Sequence, residues 1–151
     1  MSETNPVVEI RQVLQICVVV TDLERAMRRY EALLGLGSWQ VSELGPPTLR
    51  TSLRGREQPY SMKIALAQAG GVQWELIQPL DGPSIYKEFL AQRGEGLHHI
   101  AVATDNHDES VQAFEKYGIG VAMDGRREDG TGYTYMDTQD ALGFVLELYR
   151  R

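Results

Sequence analysis

The chain has 151 residues, 42% hydrophobic and 24% charged, the composition of one ordinary globular domain. Its formal net charge of −6 argues against a general nucleic-acid binder, which needs a basic stripe to neutralise phosphates. The single cysteine, Cys17, forbids an internal disulfide, no apolar run approaches the roughly 20 residues of a membrane span, and MSETNPVVEIRQ lacks the regions of a secretory signal, so the expected location is cytoplasmic.

VLQICVVV (13–20) is β-branched and apolar and reads as a buried strand. Thr21 and Glu24 then stand in capping-box spacing, and Leu23, Ala26, Met27, Tyr30, Leu33 and Leu34 recur at helical spacing up to Gly35. SWQVSEL (38–44) reads as a strand, and the turn-rich GPPTLRTSLRGREQP as a loop holding a short strand near 49–53. YSMKIALAQ and VQWELIQPL read as strands turned at a Gly-Gly pair, and DGPS opens a short helix, IYKEFLAQR, that stops at Gly94. HHIAVATD is a strand, DESVQAFEKYG a helix, and VAMDGRR, GYTYMDTQ and FVLELYRR are strands.

The second half repeats the order of the first. LQICVVVTDLERAM lines up with HHIAVATDNHDESV, allowing one slipped residue before Thr-Asp, so Gln15-Ile16 falls on His99-Ile100. GVQWEL lines up with GFVLEL, which puts Glu75 on Glu147. Each half therefore reads strand, helix, three strands, and duplicated units of this kind pack as a pair around a shared core or cleft. The repeat singles out Gln15, His99, Glu75 and Glu147, all polar within apolar strands. A carboxylate in such a strand is costly if it faces a core without a partner. A bound divalent cation is one partner, for which an imidazole, two carboxylates and an amide oxygen are suitable donors. The bland alternative is a hydrogen-bonded structural histidine and two solvent-facing glutamates. Alternation does not separate the two, because both Glu strands are apolar on both sides.

Alternation does send the neighbouring rings of His98 and His99 to opposite faces. His107, in the loop before the second helix, reads as a surface residue. Arg126 and Arg127 in DGRREDGTG, and the cluster Arg50, Arg54 and Arg56, are either solvated turn charges or contacts for an anionic group at a cavity mouth. Trp39, Trp74, Tyr133 and Tyr135 either line a cavity or pack a core.

The stretches LQICVVVTDLERAMRRYEALLG, ELIQPLDGPSIYKEFLAQRGEGLHHIAVATD and GFVLEL resemble the vicinal oxygen chelate superfamily, the glyoxalase and methylmalonyl-CoA epimerase relatives. The resemblance covers nearly the whole chain, and the middle stretch is most similar to the epimerase branch. It implies an α+β fold of two βαβββ modules forming a curled mixed sheet around a metal or ligand cleft. Module one would span about 11–80, a linker helix about 83–94 and module two about 96–151. It also implies one divalent ion (Zn, Co, Ni or Mn) on Gln15, Glu75, His99 and Glu147, a homodimer, and a small-molecule substrate, with an anionic one among the candidates. The implied activity is that of an isomerase, epimerase or lyase. It would remove a proton next to the carbonyl of a small oxo-acid, acyl thioester or hemithioacetal. Glu147 or Glu75 would be the base, with Glu57 in GREQPYSM as the epimerase-like alternative. Two departures stand out. Gln15 occupies a position that is usually His in the epimerase branch, although a Gln-Glu-His-Glu set is similar to that of some glyoxalase I enzymes, and Asp137-Thr138 stands where the epimerases carry His-Pro, which weakens the case for a CoA thioester. The alternative function is a metal-free small-molecule binding or drug-sequestering protein of the same fold. Extradiol ring cleavage, which needs two histidines and a carboxylate on iron, is disfavoured by a single His at a ligand position.

Overall fold

A computed structural model describes residues 5–150, and the first four residues of the N-terminal stretch lie outside them. The first half runs β1 (Gln12–Val19), α1 (Leu23–Leu34), β2 (Gln40–Leu44), β3 (Leu49–Leu53), β4 (Arg56–Glu57), β5 (Met62–Ala69) and β6 (Val72–Pro79). After α2 (Ile85–Arg93) come β7 (Gly96–Ala103), α3 (His107–Tyr117), β8 (Val121–Arg127), β9 (Gly132–Met136), α4 (Gln139–Leu142) and β10 (Val145–Arg150). The single turn of α4 is an element that the sequence pattern does not announce.

Local chemistry sets the helix ends. Asp22, not Thr21, caps α1, its carboxylate accepting the Arg25 N–H at 3.1 Å. Thr21 is engaged elsewhere: its N–H and hydroxyl both donate to the Glu95 carboxylate, a partner 74 residues away that local spacing cannot reveal. Ser84 and Asn106 cap α2 and α3 in the same way. Gly35 closes α1 in the left-handed region, φ 68°, where a side chain is strained.

Among the described residues, ten strands join one mixed sheet in the order β2-β5-β6-β1-β7-β10-β9-β8-β3-β4. The order is symmetric about the β1–β7 pair: β6, β5 and β2 flank β1 as β10, β9 and β8 flank β7. Both inner pairs, β1–β6 and β7–β10, are parallel, while β1 meets β7 antiparallel. The β3–β4 hairpin breaks the symmetry. It leaves the first half and pairs with β8 of the second, from Leu49 opposite Arg127 to Leu53 opposite Met123.

The sheet is strongly curled. Tyr60, just before β5, meets Tyr133 on β9 hydroxyl to hydroxyl at 2.6 Å, although four strands lie between β5 and β9. In a flat sheet those strands would stand about 24 Å apart. The concave side is filled by a core containing Tyr60, Tyr86, Met123, Tyr133 and Tyr135, with α2 packed into it. On the outside α1 covers β5 and β6 through Leu23, Ala26, Ala65 and Leu76, and α3 covers the other half through Phe114, Met136 and Leu148. The aromatics thus divide: Trp39 and Trp74 pack against Tyr30 under α1, while Tyr133 and Tyr135 face the interior. No described helix is long and apolar enough to cross a membrane.

Gly125 is set by this interior. Tyr133 is its cross-strand partner, and a Cβ at position 125 would fall 2.4 Å from the Tyr133 ring and hydroxyl. Gly125→Ala must push Tyr133 off Tyr60, so it is expected to destabilise the fold by about 1–3 kcal/mol. A thermal melt checks this; an unchanged midpoint would show that the ring yields freely.

Candidate metal centre

Strand pairing brings the four repeated residues together. In the first half Gln15 lies opposite Gln73, and Cys17 opposite Glu75. In the second half His99 lies opposite Val145, and Ala101 opposite Glu147. The acidic residue therefore sits two positions further along than the first-strand residue in both halves, which is the register the sequence repeat implies. Across the centre Cys17 pairs with His99 and Gln15 with Ala101, so the two half-sites face each other over the β1–β7 seam.

The resulting cluster is compact and buried. His99 Nε2 lies 3.4 Å from Glu75 Oε1 and 3.2 Å from Glu147 Oε2. One end of the Gln15 amide lies 2.7 Å from Gln73 Oε1, and the other end faces inward. That end stands 3.2 Å from Glu147 Oε2 and 3.3 Å from Glu75 Oε1. Exposure is 2% for Gln15, 8% for Glu75, 0% for His99 and 3% for Glu147, so the polar cost of this burial needs a compensating partner.

These four groups fit a divalent cation. Donors about 2.1 Å from a shared ion stand about 3.0–3.4 Å from one another, which is the spacing found. His99 Nε2 is fully buried and makes no hydrogen bond of good geometry, although it points at both carboxylates. An amide oxygen facing two carboxylate oxygens is repulsive unless positive charge lies between them. The reversed amide would instead donate to both carboxylates and place its oxygen against Gln73 Oε1 and Tyr149 Oη. The two orientations thus correspond to a cluster with and without a cation.

Electrostatics follow the same geometry. Burial disfavours the His99 imidazolium, yet Glu147 and Glu75 outweigh it and lift the pKa to about 9. Burial raises the Glu147 pKa, with His99 opposing. Burial, then the charge on His99, pushes His98 down. Burial, then Glu75 and Glu147, holds Cys17 as a thiol.

Several residues join the cluster without having been singled out. Cys17, Glu75 and His99 offer ligand atoms within 4.8 Å of one another. Gln73 holds the Gln15 amide, and Tyr149 Oη lies 3.2 Å from it. Each is two positions from a repeated residue on its own strand, so same-face alternation was the signal that could have found them. Tyr135 completes the wall: its ring centre is 4.8 Å from that of His99, and its hydroxyl pairs with Tyr86 at 2.6 Å.

Three placements differ from expectation or stand apart from the cluster. His98 and His99 do not point to opposite faces: their Nδ1 atoms meet at 2.8 Å. Here Cys17 pairs with His99 but the next residue, Val18, pairs with Leu97, so His98 is the extra residue of a β-bulge, which re-aims a side chain. His107 is not a surface residue. Its side chain is only 10% exposed, and it bridges Asp108, at 2.8 Å, and Thr134, at 2.8 Å, fastening α3 to β9. Glu57 is exposed on β4, in register with Ser52, whose hydroxyl bonds Asp124. Among the described residues no hydrogen bond or ion pair joins Glu57 to the four.

Of the arginines, Arg54 is tied to Glu88 of α2 through two bonds of 2.6 and 2.8 Å, while Arg50, Arg56, Arg126 and Arg127 are exposed. Thr138 is a fold residue, its hydroxyl accepting the Leu146 N–H and donating to the Phe144 carbonyl, both at 2.8 Å.

Comparison with known proteins agrees with this architecture. Residues 14–136 match the family described as the glyoxalase/bleomycin resistance protein/dioxygenase superfamily. The mitochondrial methylmalonyl-CoA epimerase of Mus musculus is 26% identical over 149 residues, covering 97% of this chain and 76% of that protein. An uncharacterized protein of Bacillus subtilis, YqjC, is 27% identical over 133 residues, covering 87% and 86%. Among solved structures, a variant of Streptomyces coelicolor methylmalonyl-CoA epimerase in complex with 2-nitronate-propionyl-CoA shares the fold. Its TM-score is 0.65 at 22% identity, covering 93% of this chain and 94% of that one. The family match spans most of the chain, so the chain belongs to the glyoxalase/bleomycin resistance protein/dioxygenase superfamily.

Proposed function

We propose that the protein is a metal-dependent epimerase that removes and returns a proton on the carbon next to the carbonyl of an acyl thioester. The observation that carries this reading is the convergence of two buried carboxylates on one imidazole at 3.2–3.4 Å, with the Gln15 amide against both carboxylates. Gln15, Glu75, His99 and Glu147 would hold the ion, which when bound supplies stabilisation of the negative charge developing on the substrate carbonyl oxygen. Glu147 would take the proton, its carboxylate lying beside His99 Nε2 within the cluster. Glu75, its counterpart across the seam, is placed to serve the opposite side. Tyr135 and Tyr86 exclude water from the pair. The curated relatives named as methylmalonyl-CoA epimerases support an acyl-CoA substrate, although this chain lacks a His-Pro pair at Asp137-Thr138.

The test is exchange of the α-proton of methylmalonyl-CoA in D2O, alongside the hemithioacetal of methylglyoxal and glutathione, with metal content measured on the same protein. We expect about one ion per chain and exchange only with the thioester. Turnover of the hemithioacetal alone would move the assignment to the glyoxalase branch. The Glu57 alternative separates cleanly. Because Glu57 makes no hydrogen bond or ion pair with the four among the described residues, Glu57→Gln is expected to leave ion content unchanged; lost turnover with the ion retained would give the second proton-transfer role to the β3–β4 hairpin.

A second reading, a metal-free binding protein, is favoured by one observation: the reversed Gln15 amide satisfies both carboxylates without an ion. Protein that takes up no Zn, Co, Ni or Mn would establish it.

A further inference from the structure

The His98–His99 contact lies outside the proton transfer proposed for Glu147 and Glu75. Two imidazoles whose Nδ1 atoms lie 2.8 Å apart share one proton: one nitrogen donates and the other accepts. The choice decides what His99 presents to the carboxylates. If His98 holds the proton, His99 accepts at Nδ1, its remaining proton must sit on Nε2, and no lone pair faces Glu75 and Glu147. If His99 holds it, Nε2 is free to exchange its own proton for a cation. His98 is fixed for this task. It is 1% exposed, and its ring stands edge-on to Phe89 at 5.0 Å and to Tyr86 at 5.5 Å between ring centres. The bulge in β7 is what brings its Nδ1 to the same side as His99.

We infer that His98 is a positioning residue whose Nδ1 accepts the His99 Nδ1–H, fixing the His99 ring so that Nε2 alone faces the carboxylate pair. The inference rests on reading Gln15, Glu75, His99 and Glu147 as a cation site. A ligating histidine ordinarily gives its second N–H to a carboxylate, a carbonyl or water, and loss of that partner typically weakens metal binding about tenfold to a hundredfold. Here a second histidine takes that place, within a wall of aromatic rings. The arrangement follows from the bulge: without it His98 would point away and the Nδ1–H of His99 would have no partner there.

Two measurements test it. In protein labelled with nitrogen-15 at histidine, a nitrogen–nitrogen coupling should appear across the His98 Nδ1–His99 Nδ1 bond, the proton covalently on His99, before and after zinc is added. No coupling, or a proton carried by His98 Nδ1, overturns the inference. In zinc titrations, His98→Phe should bind about tenfold to a hundredfold more weakly than wild type. His98→Asn, whose side-chain oxygen can accept in place of Nδ1, should stay within about threefold of wild type. Rescue by Asn distinguishes an acceptor from a space-filler, and the coupling stands even if His98→Phe does not fold. Wild-type protein that takes up no zinc removes the reading on which the inference depends. Equal zinc affinity in wild type and folded His98→Phe leaves that reading in place and overturns the role of His98.

Discussion

Glu147→Gln should lower α-proton exchange of the thioester by about 10²- to 10⁴-fold while leaving the fold intact. Gln keeps the shape and the oxygen donor but cannot take a proton. Glu147 sits on β10 with its strand neighbours in place, and the substitution removes charge from a site where burial already disfavours it. Against this, Glu147 is also a partner of the His99 imidazole at 3.2 Å, so the thermal midpoint should fall, with Glu75 left to pair the ring. Glu75→Gln is the internal comparison. The larger fall in kcat at saturating substrate identifies the base, because loss of a proton acceptor acts on the chemical step, whereas a weakened ion site also lowers occupancy. Full exchange activity in Glu147→Gln would end the assignment.

His99→Ala should abolish ion uptake, weakening it by more than about a hundredfold, since it deletes a ligand rather than a ligand's partner. It should also destabilise the ion-free protein. With His99 gone, Glu75 and Glu147 face each other, buried, without the imidazole that lies between them at 3.4 and 3.2 Å. Removing one partner of a buried charge cluster costs about 3–5 kcal/mol. Elemental analysis of protein purified without added metal reads the first effect and a denaturant titration the second. Undiminished ion content would place the ion elsewhere. Unchanged stability would mean that the carboxylates shed their charge by other means.

The four-residue cluster was legible because it is written twice. Gln15 and His99, and Glu75 and Glu147, are polar interruptions at equivalent places in two similar segments, and the observed register keeps the same two-residue offset in each half. Strand and helix positions were legible for the ordinary reason that apolar spacing is local. What escaped was non-local. The bulge that turns His98 beside His99 depends on how β7 pairs with β1, and one residue of slip reverses every side chain. The cap at Asp22 was missed because Glu95, far along the chain, claims Thr21. His107 read as a surface residue because Thr134, its buried partner, lies on a strand 27 residues away. Nor does any periodicity reveal that the β3–β4 hairpin leaves its own half.

That crossing governs how the molecule comes apart. A duplicated chain invites the picture of two lobes, each able to melt alone. Yet the hairpin's β3 completes the edge of the opposite half, and the seam between β1 and β7 is a shared ladder rather than a docking surface. Neither half can lose its order without stripping partners from the other. Unfolding is therefore expected as one cooperative transition, with calorimetric and van't Hoff enthalpies equal. A chain severed between Pro79 and Ile85 would yield two pieces, the first carrying an orphaned β3 and the second an uncovered β8. Each would stay unstructured until mixed with its complement, and only the reunited pair would rebuild the centre.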